Sequence, residues 1–187
     1  MSRVTPIFRP GDYPGDPDAA TREQVTALFD RLFPGVAEPR IDQGHAGIAI
    51  AAHNPALAGR LADISAFMAL DLPWSQRRDL RELAIQTVNL RLGCPYAFQA
   101  RIHAAEAAGI TGAMLDALAV WRASDLFDAD QRLVIDYAEA VVANSVSDPL
   151  FARLTESFGE KGAVECTTVV AFWSFWALFL NATGAGA

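Results

Sequence analysis

The sequence is poor in cysteine and in clustered basic residues. It has only two cysteines among 187 residues, Cys94 and Cys166, and they lie far apart. Two isolated cysteines form neither a disulfide framework nor a four-ligand zinc site, so a reducing, cytoplasmic setting is expected. The net charge is -7 at pH 7, and the only local concentration of basic residues lies within residues 77–81. This balance argues against nucleic acid as a partner and favours a small molecule.

No segment has the pattern of an export signal or a membrane span. The first 18 residues contain four prolines and no apolar stretch, which is typical of an irregular arm. The longest uncharged run, residues 166–187, includes several hydroxyl and amide side chains, and its apolar part is shorter than the roughly 20 residues that a span needs. We therefore predict a buried helix in this run and no membrane association.

Helix signals follow one another along the chain, whereas strand-like alternation joined by hairpin turns is absent. The sequence therefore predicts an all-α fold of about seven or eight helices. The N-terminal arm and first helix are assigned to residues 1–40, and a single helical globule to residues 41–187. Five of the expected helices cover residues 19–32, 55–70, 75–92, 95–109 and 161–181.

The hydrophobic fraction of 52% is high for a chain with 20% charged residues. Extra apolar surface of this kind is often buried between subunits, so a homo-oligomer is expected. Aromatic residues surround the last predicted helix on almost every side, which is typical of a core or a subunit interface and only occasionally of a ligand-binding wall. These residues are Phe172, Trp173, Phe175, Trp176 and Phe179.

Several common catalytic motifs are missing. No two histidines stand four residues apart with an acidic partner, no Gly-x-Ser-x-Gly turn occurs, and no phosphate-binding glycine loop precedes a helix. Metal hydrolase, serine hydrolase and nucleotide-binding functions therefore lack support. We expect neither a metal ion nor an organic cofactor.

A polar stripe runs along the helix predicted for residues 75–92. Glu82, Gln86 and Asn89 fall on one side of this helix, and apolar residues occupy most of its remaining circumference. If the stripe is buried, Glu82 could hold or pass a proton as a general acid or base, and Gln86 and Asn89 could contact a substrate. The alternative is that these residues, together with Arg78, form the solvated face of the helix.

Cys94 stands just before the first turn of the next predicted helix, where backbone N–H groups can stabilise a thiolate. It is a candidate reactive residue, or else a small buried core residue. On the helix that follows, Tyr96 and His103 share a face, and Glu106 lies within reach of His103. Such a group could handle protons, or it could be an ordinary structural pair.

Two further histidines flank helix starts. His53 precedes the Asn-Pro pair that opens the helix predicted for residues 55–70, and His45 lies beside a glycine. Either imidazole could line a pocket, and we assign His53 as a candidate substrate-binding residue.

Residues 81–111, RELAIQTVNLRLGCPYAFQARIHAAEAAGIT, resemble the core of the carboxymuconolactone decarboxylase family, with its Arg-Glu-Leu, Gly-Cys-x-Tyr and Ala-Gly-Ile elements. Upstream, AAHNPAL resembles the His-Ser-Pro helix start of that family, and WSFWALFLNATG resembles its last helix. The spacing from Glu82 to Cys94 fits the motif Glu-x11-Cys-x2-Cys-x3-His of the wider alkylhydroperoxidase D superfamily. The resemblance implies an alkylhydroperoxidase D-like helical bundle, assembled as a homo-oligomer, commonly a trimer or hexamer.

Two positions of that motif differ in this chain. The second cysteine is replaced by Ala97, and the histidine is replaced by Arg101. A lone thiol has no partner for the intramolecular disulfide that dithiol peroxidases form, so that chemistry is not expected. An arginine does not act as a general acid at neutral pH, but its planar fork can hold a carboxylate or an enolate oxygen.

The resemblance therefore implies a cofactor-free lyase or isomerase that acts on a small carboxylated or lactone compound, as in aromatic catabolism. In this hypothesis Glu82 moves the proton, Arg101 holds the anion, Cys94 lines the site, and Tyr96 with His103 or His53 donates hydrogen bonds. The first alternative is a peroxidase or redox protein that depends on Cys94. The second alternative is a non-catalytic binding protein.

Overall fold

The computed structural model describes residues 3–185, and every regular element in that range is helical. The predicted all-α class is thereby confirmed. Backbone contacts divide the chain into two units. We call Met1–Phe67 with Phe179–Ala187 the terminal unit, and Met68–Leu178 the central unit. The predicted boundary after residue 40 stays a prediction.

The terminal unit contains three helices: α1 (Ala19–Leu32), α2 (Ala46–Ala51) and α3 (Pro55–Ala66). The Asp18 carboxylate caps α1 by accepting a hydrogen bond from the Thr21 amide at 2.7 Å, and Asn54 caps α3 in the same way. The N-terminal arm is tied to the chain end, because the Arg3 amide donates to the Thr183 carbonyl at 3.0 Å.

The first helix has the predicted bounds, whereas α3 ends earlier than expected. The sequence predicted helix up to residue 70, but α3 gives way after Ala66 to a wider π-helical turn over Phe67–Asp71. The predicted and observed structures therefore differ in their backbone hydrogen-bond pattern, and the chain stays helical through this turn.

The central unit contains α4 (Arg78–Arg91), α5 (Pro95–Ala100), α6 (Ile102–Ala107), α7 (Gly112–Ala117), α8 (Ala129–Val142) and most of α9 (Asp148–Thr183). Helix α4 lies at its centre and packs along α8. Every residue of α4 from Leu80 to Asn89 is buried, polar and apolar alike. A helix buried on all sides must pair its polar side chains internally, and this requirement creates the candidate site.

The start of α4 differs from the sequence prediction. The predicted helix starts at residue 75, but Ser75 lies in a separate 3-10 turn, Trp74–Gln76, and α4 begins after Arg77 without a side-chain cap. The turn is fixed in a different way: the Trp74 amide donates to the buried Glu165 carboxylate of α9 at 2.8 Å.

Helix α9 contains a kink at Gly159, whose φ of 71° and ψ of 169° interrupt the helical backbone. Beyond the kink one face of α9 is buried and the opposite face is exposed. Length and composition alone would allow α9 to span a membrane, while half of its most apolar 18-residue stretch is buried inside the protein. The predicted cytoplasmic location stays a prediction.

Glu139 on α8 joins three elements of the central unit. Its carboxylate accepts hydrogen bonds from Arg91 Nε on α4 at 2.9 Å, from Trp121 Nε1 at 2.9 Å and from Arg122 Nη1 at 2.8 Å. Burial alone would raise the pKa of Glu139, but these donors outweigh burial and hold the pKa below its ordinary value. The ionised carboxylate therefore contributes to the stability of the folded chain.

We predict that Glu139→Gln lowers the free energy of unfolding by about 1–2 kcal/mol near neutral pH, because the amide accepts fewer charge-assisted bonds. A carboxylate with a lowered pKa stabilises the fold above its unfolded pKa, and this contribution is lost as the pH falls through the folded value. The difference between variant and wild type should therefore shrink below about pH 4. Urea unfolding of both proteins from neutral pH to below about pH 4 measures this difference in the free energy of unfolding. Asp116→Asn at an exposed position is the control, and an equal penalty at both pH extremes would contradict the assignment.

Candidate functional site

The Glu82 carboxylate forms the centre of a buried ion-pair network in the central unit. The side chain is fully buried, and both of its oxygens accept hydrogen bonds from arginines. Oε1 accepts from Nε and Nη2 of Arg81, each at 3.1 Å, and from Nη2 of Arg101 at 2.6 Å. Among residues 3–185, Oε2 accepts only from Arg101, through Nε at 3.0 Å and Nη2 at 2.9 Å. We call Arg81, Glu82 and Arg101 the charged triad.

Arg81 is fixed on its other side by the backbone. Its Nη1 donates to the Ala69 carbonyl and, at 3.4 Å, to the Ser75 carbonyl. All three nitrogens of this guanidinium thus have described partners, and the residue is only 8% exposed. The turn that carries Ser75 is in turn bonded to Glu165 through the Trp74 amide. Arg81 is therefore held in one position by groups unrelated to any ligand.

Arg101 is less enclosed. Its side chain is 25% exposed, and its Nη1 has no hydrogen-bond partner among residues 3–185. The guanidinium carbon lies 5.7 Å from the centre of the Trp173 ring on α9, within the range of a cation–π contact. One edge of the Arg101 fork thus holds Glu82, while the Nη1 corner is left to bind another group.

Arg101 occupies a break between α5 and α6 that the sequence did not predict. Its φ of -104° and ψ of 0° are not helical, so the helix expected over residues 95–109 is divided in two. In a continuous helix the Phe98 carbonyl would pair with the amide of Ile102. Instead it accepts from Gln86 Nε2 at 3.0 Å and from the Arg101 amide at 3.3 Å. Gln86 therefore stabilises the break from which Arg101 reaches Glu82.

The predicted polar stripe on α4 is buried. Glu82 and Gln86 are 0% exposed and Asn89 is 1% exposed, so the alternative of a solvated face is wrong. Asn89 Nδ2 donates to Gln86 Oε1 at 3.2 Å, which places the two amides in one network with the Phe98 carbonyl. Within the described residues, Asn89 Oδ1 and the Ser75 hydroxyl are buried without a hydrogen-bond partner.

Both thiols are free and buried. Cys94 is 1% exposed at the start of α5, and its own amide donates to the Asn89 carbonyl at 2.8 Å. Burial raises the pKa of the Cys94 thiol, and a hydrogen bond from the Ala97 amide offsets this only in part. Burial also raises the pKa of Cys166. At neutral pH both side chains are therefore protonated thiols and weak nucleophiles.

The remaining predicted site residues are Tyr96, His103 and His53. Tyr96 is half-buried on α5, and His103 is exposed on α6. Over the described range no bond or ion pair joins His103 to Glu106, so the predicted pairing is not formed. His53 belongs to the terminal unit, where its Nε2 lies 2.9 Å from the Thr5 carbonyl and its ring packs beside Tyr13.

Sequence reasoning missed two groups of this site, Arg81 and Trp173. Adjacent residues on a helix do not face each other, so Arg81 was not expected to bind the carboxylate beside it. A long arginine side chain overcomes that geometry by folding back along the helix. Trp173 was one of five aromatic residues on the last helix, and nothing in that pattern distinguished it from the others.

Two guanidinium groups and one carboxylate give the charged triad a formal net charge of +1. Such a group can hold an anion such as a carboxylate, and it places that anion beside a second carboxylate capable of carrying a proton. Across residues 3–185, no three His, Cys, Asp or Glu side chains form a group suited to a metal ion.

Comparison with known proteins gives one informative relationship. No model of a known protein family matches the chain, and no solved structure matches it. The uncharacterized protein YnjA of Escherichia coli K12 is 30% identical over 132 residues, which cover 66% of this chain and 72% of YnjA. At this identity and coverage, the chain belongs to the same family as YnjA.

Proposed function

We propose that this protein is a carboxymuconolactone decarboxylase-like enzyme of the branch without the redox dithiol. It binds a small carboxylated compound at Arg101 and acts on it as a cofactor-free lyase or isomerase. The charged triad is the observation that supports this proposal. It combines an anion-binding group with a buried carboxylate, and these are the two functions that the reaction class needs.

The charge of the triad favours an anionic ligand. Glu82 neutralises only one of the two arginines, and an uncompensated charge next to the protein interior is costly. Arg81 has no free nitrogen, whereas Arg101 is partly exposed and offers Nη1. A ligand carboxylate at Arg101 would be attracted by this positive charge, and its hydrogen bonds would be charge-assisted. The Trp173 ring makes a cation–π contact with the same guanidinium, at 5.7 Å from its central carbon.

Glu82 is the group that moves the proton in this proposal. Its burial keeps water away, so a proton taken from or returned to a substrate carbon would not exchange freely with solvent. Asn89 Oδ1 and the Ser75 hydroxyl supply buried polar atoms that could orient the rest of the ligand. Gln86 acts as a positioning residue, because it holds the break that directs Arg101 towards Glu82.

The two alternatives are less well supported. A peroxidase or redox protein would need a thiolate at Cys94, but burial raises the pKa of that thiol, and Ala97 stands where a resolving cysteine would be needed. A non-catalytic binding protein would use the same anion site without turnover. Glu82 distinguishes the proposed lyase or isomerase from the non-catalytic binding protein, because anion binding alone does not require a carboxylate beside Arg101.

We also propose that the chain forms a homo-oligomer through the exposed face of α9. Val164, Thr168, Ala171, Phe175 and Leu178 all lie on this face, at alternating spacings of four and three residues. Among them Val164 is 61% exposed and Leu178 is 56% exposed. This spacing is that of a helix–helix seam, and none of the five side chains carries a charge.

We predict that Arg101→Met weakens binding of a small carboxylate, such as benzoate or succinate, by at least about tenfold in Kd. The methionine retains most of the packing volume but removes the guanidinium. Isothermal titration calorimetry measures the affinity, and the methyl esters of the same acids show whether the negative charge is what is recognised. Arg153→Met is the matched control, because Arg153 is an exposed arginine of the same unit. Equal losses in both variants would contradict an anion site at Arg101.

Cys94 should react slowly with iodoacetamide at neutral pH, because its raised pKa leaves the thiol protonated. The rate should rise steadily as the pH increases above the ordinary thiol value of about 8.5. Mass spectrometry of wild type and Cys94→Ser locates the modified residue. Rapid alkylation of Cys94 at pH 7, or sulfenic acid formation there at micromolar peroxide, would instead favour the redox alternative.

Phe175→Glu should lower the mass measured by sedimentation velocity, because a charge in the middle of the apolar face opposes its burial between subunits. Val120→Glu places the same charge on an exposed apolar residue of the central unit away from α9, and it should leave the mass unchanged. Identical masses for wild type and Phe175→Glu would exclude this face as the interface.

A further inference from the structure

The two oxygens of Glu82 are held differently. Oε1 accepts hydrogen bonds from both Arg81 and Arg101, whereas the donors to Oε2 within the described part of the chain come from Arg101 alone. Removal of the Arg101 fork would therefore leave Oε1 bonded to Arg81 and would leave Oε2 with no donor. The carboxylate would keep its position, because one oxygen stays anchored, while the other becomes available.

The two arginines also differ in how readily they can be displaced. Arg81 has a partner on every nitrogen, and two of those partners are backbone carbonyls. The only polar partner described for the Arg101 guanidinium is Glu82, and its side chain is 25% exposed compared with 10% for that of Arg81. Only Arg101 is therefore placed to exchange Glu82 for an incoming anion.

We propose that a carboxylate ligand displaces Glu82 from the fork of Arg101, and that the freed Oε2 then accepts a proton. The proposal rests on the anion site proposed above and gives that site a coupling between ligand binding and proton uptake. Without ligand, Arg101 occupies both lone-pair regions of Oε2 and keeps Glu82 from acting as a base. Ligand binding removes this block at the moment when a substrate is present.

Electrostatics favours this proton uptake. After the exchange the two arginines face two carboxylates, and Glu82 retains one guanidinium partner in place of two. A buried carboxylate that loses a cationic partner and gains an anionic neighbour is stabilised by protonation. The described ion pairs of Glu82 are those with Arg81 and Arg101, one from α4 and one from the break between α5 and α6.

The geometry also restricts the substrate. The ligand carboxylate takes the place of Oε2 on the Arg101 fork, so it lies beside the oxygen that it has freed. With an unreactive anion, the proton taken up comes from the solvent. With a substrate, it comes from a nearby carbon, and the electron pair of that C–H bond stays on the substrate as an enolate. The substrate class is therefore a carboxylic acid with an acidic C–H bond one or two carbons from the carboxylate.

The test is calorimetric titration of benzoate into the protein in two buffers at the same pH, imidazole and Tris, which differ in ionisation enthalpy and are not anions that could compete for the site. A difference between the two observed enthalpies gives the number of protons exchanged on binding. The wild type should take up close to one proton for each benzoate bound. Glu82→Gln should show no uptake, and it should bind benzoate about tenfold more tightly, because Arg101 no longer pairs with a competing carboxylate.

Glu165→Gln is the matched control, since it removes another buried carboxylate of the same unit, and it should retain the uptake. Benzoate binding without proton uptake in the wild type would overturn the coupling but leave the anion site intact. Proton uptake that persists in Glu82→Gln would likewise overturn the coupling and leave the anion site intact. If neither benzoate nor succinate binds the wild type, the anion site itself is wrong. The wild-type titrations alone test both anion binding and proton uptake, even if a variant fails to fold.

Discussion

The bidentate contact between Arg101 and Glu82 is the interaction on which the rest of this site depends. A carboxylate on a helix that is buried on every side is tolerated only when cations satisfy it. Arg81 supplies one cation from the same helix and is braced by the backbone before α4. Arg101 supplies the other from a separate segment and so links α4 to the start of α6. Removal of either partner would leave a charge in the interior.

The surrounding structure can be understood as support for this contact. The turn at Trp74 is attached to α9 through Glu165, and it presents the Ser75 carbonyl to Arg81. On the opposite side, Gln86 lies one turn beyond Glu82 and holds the Phe98 carbonyl. A polar side chain therefore secures the position of each arginine, which is why polar residues fill positions of α4 that packing alone would assign to leucine or valine.

The sequence predicted much of the fold and part of the site. The bounds of α1, the cap of α3 at Asn54 and the helix start at Pro55 follow from local signals, and the structure has all of them. Periodicity placed Glu82, Gln86 and Asn89 on one side of α4, but it could not say whether that side faces solvent, because burial depends on what packs against it. Trp173 was missed for the same reason, because its contact with Arg101 forms across the fold. Arg81 was missed because adjacent residues on a helix do not ordinarily face each other.

The break at Arg101 contains neither proline nor glycine, and it is held by the amide side chain of Gln86, which lies twelve residues before its partner Phe98. The orientation of the Arg101 side chain thus depends on Gln86 as much as on the arginine itself. A homologue with arginine aligned to residue 101 but an apolar residue aligned to residue 86 would lack this support, and a continuous helix there would direct its guanidinium elsewhere. Relatives that share the proposed anion site should be recognised by the Gln-and-Arg pair and not by the arginine alone.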